Sequence, residues 1–315
     1  MSTTSPPNPP TPPSPNPPVP PPTPAPHTTL TTPPPTPLTT SAPLTTSTPS
    51  IPITGSFRGL ADLRLVGRQV WYEQLSFWLN PLGAFFTLGF SVIFLVLLGA
   101  IAGNSKIGTG YGTVKLVQYY LPSFTAYAIM AACFTVLAQT LVNRREMGLL
   151  KRLRLSPVPT WSLLSAIFLS TMIIALLQVG ILLGVGTLGF NDQLPLHGLA
   201  FILTIVVGML SFTALGIGMS TLVPNPDAAG PMISIVFFLL LAFSGLYFPI
   251  KPGSTLANIS GYFPVRHLIT ALLASFNLPP GANPWAWHDL LIMAIWGVAG
   301  VLVALRRWRW APRRG

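Results

Sequence analysis

The sequence predicts an all-α integral membrane protein with six transmembrane helices and both termini on the cytoplasmic side. Three observations lead there. First, the 315 residues include only 17 basic and 6 acidic side chains, or 7% charged, where soluble domains carry about 25%. A soluble fold of this size could not cover its surface with so few charges. Second, half of the residues are hydrophobic and the mean hydropathy is +0.60. Third, the charges are spaced so that long uncharged stretches lie between them.

The chain has two compositional parts. Of the 36 prolines, 21 fall in residues 1–55. Residues 1–56 contain no Lys, Arg, Asp or Glu and consist mostly of Pro, Thr and Ser. Such a segment cannot bury a core, and its prolines favour extended polyproline-II stretches. The expectation is a disordered cytoplasmic tail, with a PxxP-type docking role or a glycosylated stalk as the functional alternatives, the stalk being disfavoured by the cytoplasmic placement argued below. A basic start and an apolar run, the marks of a secretory signal, are absent from it. Cys133 is the only cysteine, which excludes a disulfide scaffold and a thiolate zinc site.

Residues 57–80 read as an amphipathic interfacial helix. Leu60, Leu63, Val66, Val70, Trp71, Leu75 and Trp78 fall roughly on one half of a helical wheel, and Arg68, Gln69 and Glu73 lie mostly opposite, with Arg64 breaking the pattern. Pro81 then opens the membrane domain, residues 81–310. The uncharged gaps are 32 residues from Glu73 to Lys106, 28 from Lys115 to Arg144 and 37 from Arg154 to Asp192. They continue with 34 from Asp192 to Asp227, 23 from Asp227 to Lys251 and 16 from Asp289 to Arg306. A helix needs about 20 apolar residues to cross a bilayer. The expected spans are 82–103, 116–142, 161–188, 197–222, 231–248 and 287–305. Trp287 and His288 extend the last one into the interface, where Trp is enriched. Residues 256–277 contain Pro264, Arg266 and His267 and read as a re-entrant outer hairpin.

Orientation follows from the basic residues. One side carries Arg58, Arg64, Arg68, the loop residues Arg144, Arg145, Lys151, Arg152 and Arg154, and Arg306, Arg307, Arg309, Arg313 and Arg314. That side has 13 basic residues; the other has only Lys106, Lys115, Lys251 and Arg266. The 13-residue side is expected to be cytoplasmic. The net charge of +11 thus reflects topology and anionic lipid, not nucleic acid.

No span interior contains Lys, Arg, Asp or Glu. Ion-coupled transporters need such groups in the membrane, and an intramembrane hydrolase needs a nucleophile beside a base. No G-x-x-x-x-G-K-[ST] phosphate loop occurs. If the protein moves a solute uphill, the energy must enter from outside the bilayer. The polar span residues Gln118, Gln139, Gln178, Ser170, Thr171, Ser211, Thr213 and Ser234 suit helix-to-helix hydrogen bonds or a substrate path. The G-x-x-x-G pairs Gly99/Gly103 and Gly180/Gly184 permit close helix approach. A membrane enzyme would have to draw on Arg266, His267, His288 and Asp289, all expected at the outer face.

The most informative stretch is residues 143–161, NRREMGLLKRLRLSPVPTW. Its helix formers stop at Pro157 and Pro159. Its basic run suits either phospholipid headgroups or a docking partner. Glu146-x-Gly148, Lys151-Arg152-Leu153-Arg154 and Pro157/Pro159 resemble the cytoplasmic loop of type-2 ATP-binding-cassette (ABC) transporter permeases. So do Arg68-Gln69, Phe77-Trp78, Asn80-Pro81 and Phe85-Phe86-Thr87, the segment Phe243 to Pro249, and Tyr262-Phe263-Pro264. The resemblance covers about residues 57–310.

It implies a permease subunit in the bacterial plasma (inner) membrane that exports a drug, antibiotic, lipid or other amphiphile. A separate ABC ATPase subunit would supply the energy, and a second permease copy or a paralogue would complete the path. The docking residues would be Arg144, Arg145, Glu146, Gly148, Lys151, Arg152, Arg154 and Pro157. Phe85, Phe86, Ser244, Gly245 and Phe248 would be candidates for the path or outer gate. No catalytic residue, metal or cofactor is expected on this chain; ATP and Mg2+ would sit on the partner. The competing reading is a membrane scaffold or assembly protein whose Pro-rich tail recruits partners.

Overall fold

The computed structural model describes residues 60–103, 105–109, 112–146, 160–190, 194–247, 250, 253–276, 278 and 283–307. The expected disordered tail, residues 1–56, lies outside them. The described residues are almost wholly helical, as a chain in hydrocarbon requires, because a helix satisfies its own backbone hydrogen bonds. The exception is a two-stranded antiparallel hairpin, β1 (Lys106–Thr109) with β2 (Gly112–Lys115), which joins the first two long apolar helices.

Helix α1 (Leu60–Trp78) is followed by α2 (Pro81–Ala102). Asn80 caps α2 by accepting a hydrogen bond from the Gly83 amide at 3.1 Å, and Pro81 sits in the first turn. Helix α3 (Leu116–Met130) runs through a π-helical turn, Ala131–Val136, into α4 (Leu137–Glu146). Next come α5 (Thr160–Phe190), α6 (Gly198–Leu222) and α7 (Pro226–Ala242). The short helices α8 (Thr255–Ser260) and α9 (Pro264–Ser275) precede α10 (Trp287–Arg307).

Five stretches are long and apolar enough to cross a membrane: Pro81–Ala102, Leu116–Arg145, Leu164–Phe190, Gly198–Leu222 and Trp287–Arg307. They coincide with five of the six expected spans. The fifth expected span, 231–248, differs. Its helix is α7, which starts at Pro226 behind the cap Asn225 and stops at Ala242. At 17 residues it is about 25 Å long, short of a bilayer core of about 30 Å. The chain then turns through Phe243–Tyr247, where Gly245 adopts φ +77°. A side chain would strain that conformation, so glycine suits the turn that follows the helix.

Helix α6 is the central column. It runs parallel to α10 at backbone-to-backbone distance. A Cβ on Gly300 would come within 2.6 Å of the Ala214 carbonyl oxygen, and one on Gly218 within 2.8 Å of the Gly300 oxygen. On another face, a Cβ on Gly216 would meet the Cys133 carbonyl oxygen at 2.7 Å, in the π-helical turn. Small residues are how membrane helices approach, because lipid offers little hydrophobic drive between them. The two G-x-x-x-G pairs are not this seam. Gly180 and Gly184 face open space, and a Cβ on Gly99 would meet the Phe190 ring, a side chain and not a neighbouring backbone.

The contacts sort the bundle into two ends. At one, the start of α3 meets the turn after α7, where the Tyr119 hydroxyl donates to the Gly245 carbonyl. The α8–α9 hairpin is tied to α10 at that end too, by Trp296 Nε1 donating to the Tyr262 carbonyl at 2.9 Å. At the other end lie the α1–α2 junction, the last turns of α4 and α6, and Arg306 and Arg307.

The seam generates a stability prediction. Gly300→Val forces α6 and α10 apart and lowers stability by about 1–3 kcal/mol, the usual range for overpacking. Gly184→Ala, in open space within a helix, costs nothing and raises stability by up to about 1 kcal/mol. Thermal unfolding of the purified protein in detergent measures both.

Candidate functional site

The root of the loop after α4 carries the densest polar construction among the described residues. Arg144 and Arg145 are adjacent on the last turn of α4 and point in different directions. The Arg144 guanidinium makes a two-pronged ion pair with Glu73 of α1. Nη1 donates to Oε1 at 2.7 Å, and Nη2 donates to Oε2. Its planar fork matches the carboxylate, which fixes direction as well as distance.

Arg145 is buried and serves the end of α6. Its Nη1 donates to the Ser220 carbonyl at 3.1 Å and its Nη2 to the Val223 carbonyl at 2.8 Å. The last carbonyls of a helix have no partner in their own helix and carry the negative end of its dipole. A guanidinium there satisfies both needs at once. One turn of α4 therefore holds both α1 and α6. A neighbouring tie completes the set: Gln74 Nε2 donates to the Ser170 backbone oxygen at 2.9 Å and to its hydroxyl at 3.0 Å, joining α1 to α5.

This is the end from which the expected docking segment leaves. Glu146 is the last residue of α4. Gly148, Lys151, Arg152, Arg154 and Pro157 lie outside the described residues. The guanidinium groups of Arg144 and Arg145 are taken up inside the chain, by Glu73 and by the end of α6. Glu73 was readable only as part of the polar face of an interfacial helix. The one hint of its partner is that it is the sole acid between Asp62 and Glu146.

The candidate gate residues do not converge. Phe85 and Phe86 are exposed and lie in the first turns of α2, at the Arg144 end. Ser244 and Gly245 lie at the opposite end, in the turn after α7. Ser244 is buried and structural: its hydroxyl donates to the Leu241 carbonyl at 2.6 Å and accepts from the Leu246 amide at 3.0 Å. Phe248 lies outside the described residues.

An aromatic cluster that the sequence did not single out joins three helices instead. Phe90 and Phe94, one turn apart on α2, stack with ring centroids 4.3 Å apart. Phe90 also stacks on Tyr127 of α3, at 5.6 Å, and Tyr127 meets Phe237 of α7 edge-on at 5.7 Å. Tyr247 closes the cluster against Phe94 and Phe124. The i, i+4 spacing of Phe90 and Phe94 was the available signal. Deeper in α5, Gln178 Nε2 donates to the Thr87 carbonyl and the Ser91 hydroxyl, both at 2.8 Å. Gln178 and Ser170 thus bind helix to helix.

Residues 100–306 match a family described as ABC-2 family transporter protein. A putative transport permease, YvfS of Bacillus subtilis (strain 168), is 28% identical over 180 residues, covering 56% of this chain and 70% of YvfS. A probable multidrug ABC transporter permease, YbhR of Escherichia coli (strain K12), is 25% identical over 175 residues. That alignment covers 55% of this chain and 47% of YbhR, so the chain spans about half of that relative's length.

The ion pair generates its own test. In a double-mutant cycle of Glu73→Gln and Arg144→Gln, the expected coupling is about 0.5–3 kcal/mol, as for residues in direct contact. Thermal or denaturant unfolding in detergent reads it. Strictly additive effects would show that the two side chains do not hold α1 to α4.

Proposed function

The chain belongs to the ABC-2 transporter family, and from that premise we propose that it is the transmembrane subunit of an ABC exporter. A separate ATPase subunit drives it, and a second copy or a paralogue completes the translocation path. Helix α7 serves as the short fifth of six spans, and the α8–α9 hairpin dips into the outer leaflet. The Arg144 end faces the cytoplasm, as the distribution of basic residues favours. Both termini then lie inside. The membrane is the bacterial plasma membrane, the setting that bacterial permease relatives support.

The observation that carries this reading is the anchoring of α4. The segment from Glu146 to Pro157 docks on the ATPase. Its root is fixed to α1 by Arg144–Glu73 and to α6 by Arg145. Closure of the ATPase on ATP then moves α1, α4 and α6 together instead of bending one loop. Exposed Trp71, Tyr72 and Trp78 support a position for α1 at the membrane surface, where such rings are at home. The cargo is an amphiphile or a flat apolar molecule. The aromatic cluster of Phe90, Phe94, Tyr127, Phe237 and Tyr247 supports that class, as does the absence of charge from the span interiors. YbhR, described as a probable multidrug permease, supports it as well.

Gentle extraction from native membranes is expected to bring down an ATPase subunit that carries a phosphate-binding loop. Glu146→Lys lowers its recovery and the coupled transport about tenfold, the loss of one interface contact worth about 1.4 kcal/mol. The mutant bundle keeps its thermal stability. Deleting residues 1–56 leaves transport unchanged. If instead no ATPase co-purifies, and function depends on the tail but not on Glu146 or Gly148, the protein is a scaffold.

A further inference from the structure

At the end of the bundle opposite Arg144, three ionisable side chains that transport does not use come together. His267 lies on α9; His288 and Asp289 lie in the first turn of α10. They are 21 and 22 residues apart in sequence, and only the packing of α9 on α10 makes them neighbours.

Both ring nitrogens of His267 face acceptors. Nε2 is 2.8 Å from the Gly261 carbonyl oxygen and Nδ1 is 2.6 Å from Asp289 Oδ1. A carbonyl oxygen can only accept, so Nε2 carries a hydrogen and donates it. A neutral ring would then turn a lone pair toward a carboxylate. At 2.6 Å the contact is a hydrogen bond with a proton on it; a metal ion would replace that proton, the Asp289 carboxylate turning until Nδ1 and a carboxylate oxygen stand about 3.3 Å apart across the ion.

Three features favour a metal ion over a proton alone. His267 is oriented as metal-ligating histidines are, with one nitrogen fixed by a backbone carbonyl and the other presented beside a carboxylate. A third donor stands by: the His288 ring centroid is 5.9 Å from that of His267, and one donor atom from each of the three residues lies within 4.8 Å of the others. His288 is exposed, so its ring can turn inward by a change of side-chain torsion without moving backbone.

We propose that His267, His288 and Asp289 bind a divalent transition-metal cation of the Zn2+ class. Two imidazoles and a carboxylate are a donor set that suits zinc, with a fourth position left to water on the His288 side. Binding braces the α8–α9 hairpin against α10, beside the Trp296–Tyr262 bond already there. The inference stands apart from the transport reading, because it concerns only this chain's affinity for a metal.

The test uses the full chain in lipid nanodiscs, with ZnCl2 as the only probe. Isothermal titration is expected to show one saturable site. Zn2+ raises the thermal midpoint, and EDTA reverses the rise. His288→Ala leaves the His267–Asp289 contact intact. It weakens Zn2+ binding by about tenfold or more, while the metal-free midpoint stays at the wild-type value. Three results would each overturn the site. One is no saturable Zn2+ binding. Another is affinity unchanged in both His288→Ala and His267→Gln, which would put the metal elsewhere. The third is a thermal midpoint that follows pH but not Zn2+, which would leave a protonated His267–Asp289 pair and nothing more.

Discussion

Two adjacent arginines at the end of α4 hold different parts of the bundle. Arg144 grips Glu73 on α1, and Arg145 grips the terminal carbonyls of α6. Each does something that lipid and water could not do for it. A partly buried carboxylate needs a cation of matching geometry, and a buried helix end needs donors for its last carbonyls. Because both cations sit on one helical turn, α1 and α6 are tied to the same point. The loop that follows that point inherits a lever on both helices. In the proposed transporter this is where chemical energy becomes motion.

A lever works only against a stiff body. The α6–α10 seam supplies stiffness, since Gly218 and Gly300 let backbones touch where any side chain would collide. Gly216 does the same against the π-helical turn between α3 and α4. A wide helical turn at that point leaves the Cys133 and Phe134 carbonyls facing α6. Gln178 pins α5 to α2 within the bundle. In the proposed transporter, movement of α4 would reach α6 through packing as well as through Arg145, and α10 would follow α6.

Composition made the architecture legible. Uncharged gaps between single charges located five spans to within a few residues, because hydrocarbon excludes charge so strongly. The fifth gap misled on the helix limits, since hydropathy does not register that Asn225 and Pro226 start a helix or that the chain leaves it after Ala242 for a turn with Gly245 at positive φ. The G-x-x-x-G spacing misled too. Gly218 and Gly300 matter because they oppose each other across two helices, and a pattern read along one helix cannot see that. Glu73 and the His267–Asp289 contact were hidden for the same reason, their partners lying 71 and 22 residues away. What remained legible at the candidate site was its address: a basic segment with Glu146, Gly148 and two prolines at the end of a span.

The central claim is that α1, α4 and α6 move as one unit. Spin labels at Trp71→Cys on α1 and Leu222→Cys on α6, both exposed sites, in a Cys133→Ala background, measure the separation directly. The measurement belongs in the complex with the proposed ATPase partner, with and without bound ATP. An unchanged distance distribution in the two nucleotide states, which broadens when Glu73→Gln is added, is the predicted result. A distance that shifts with nucleotide while Glu73 is intact would contradict the account, because the two helices would then be moving independently.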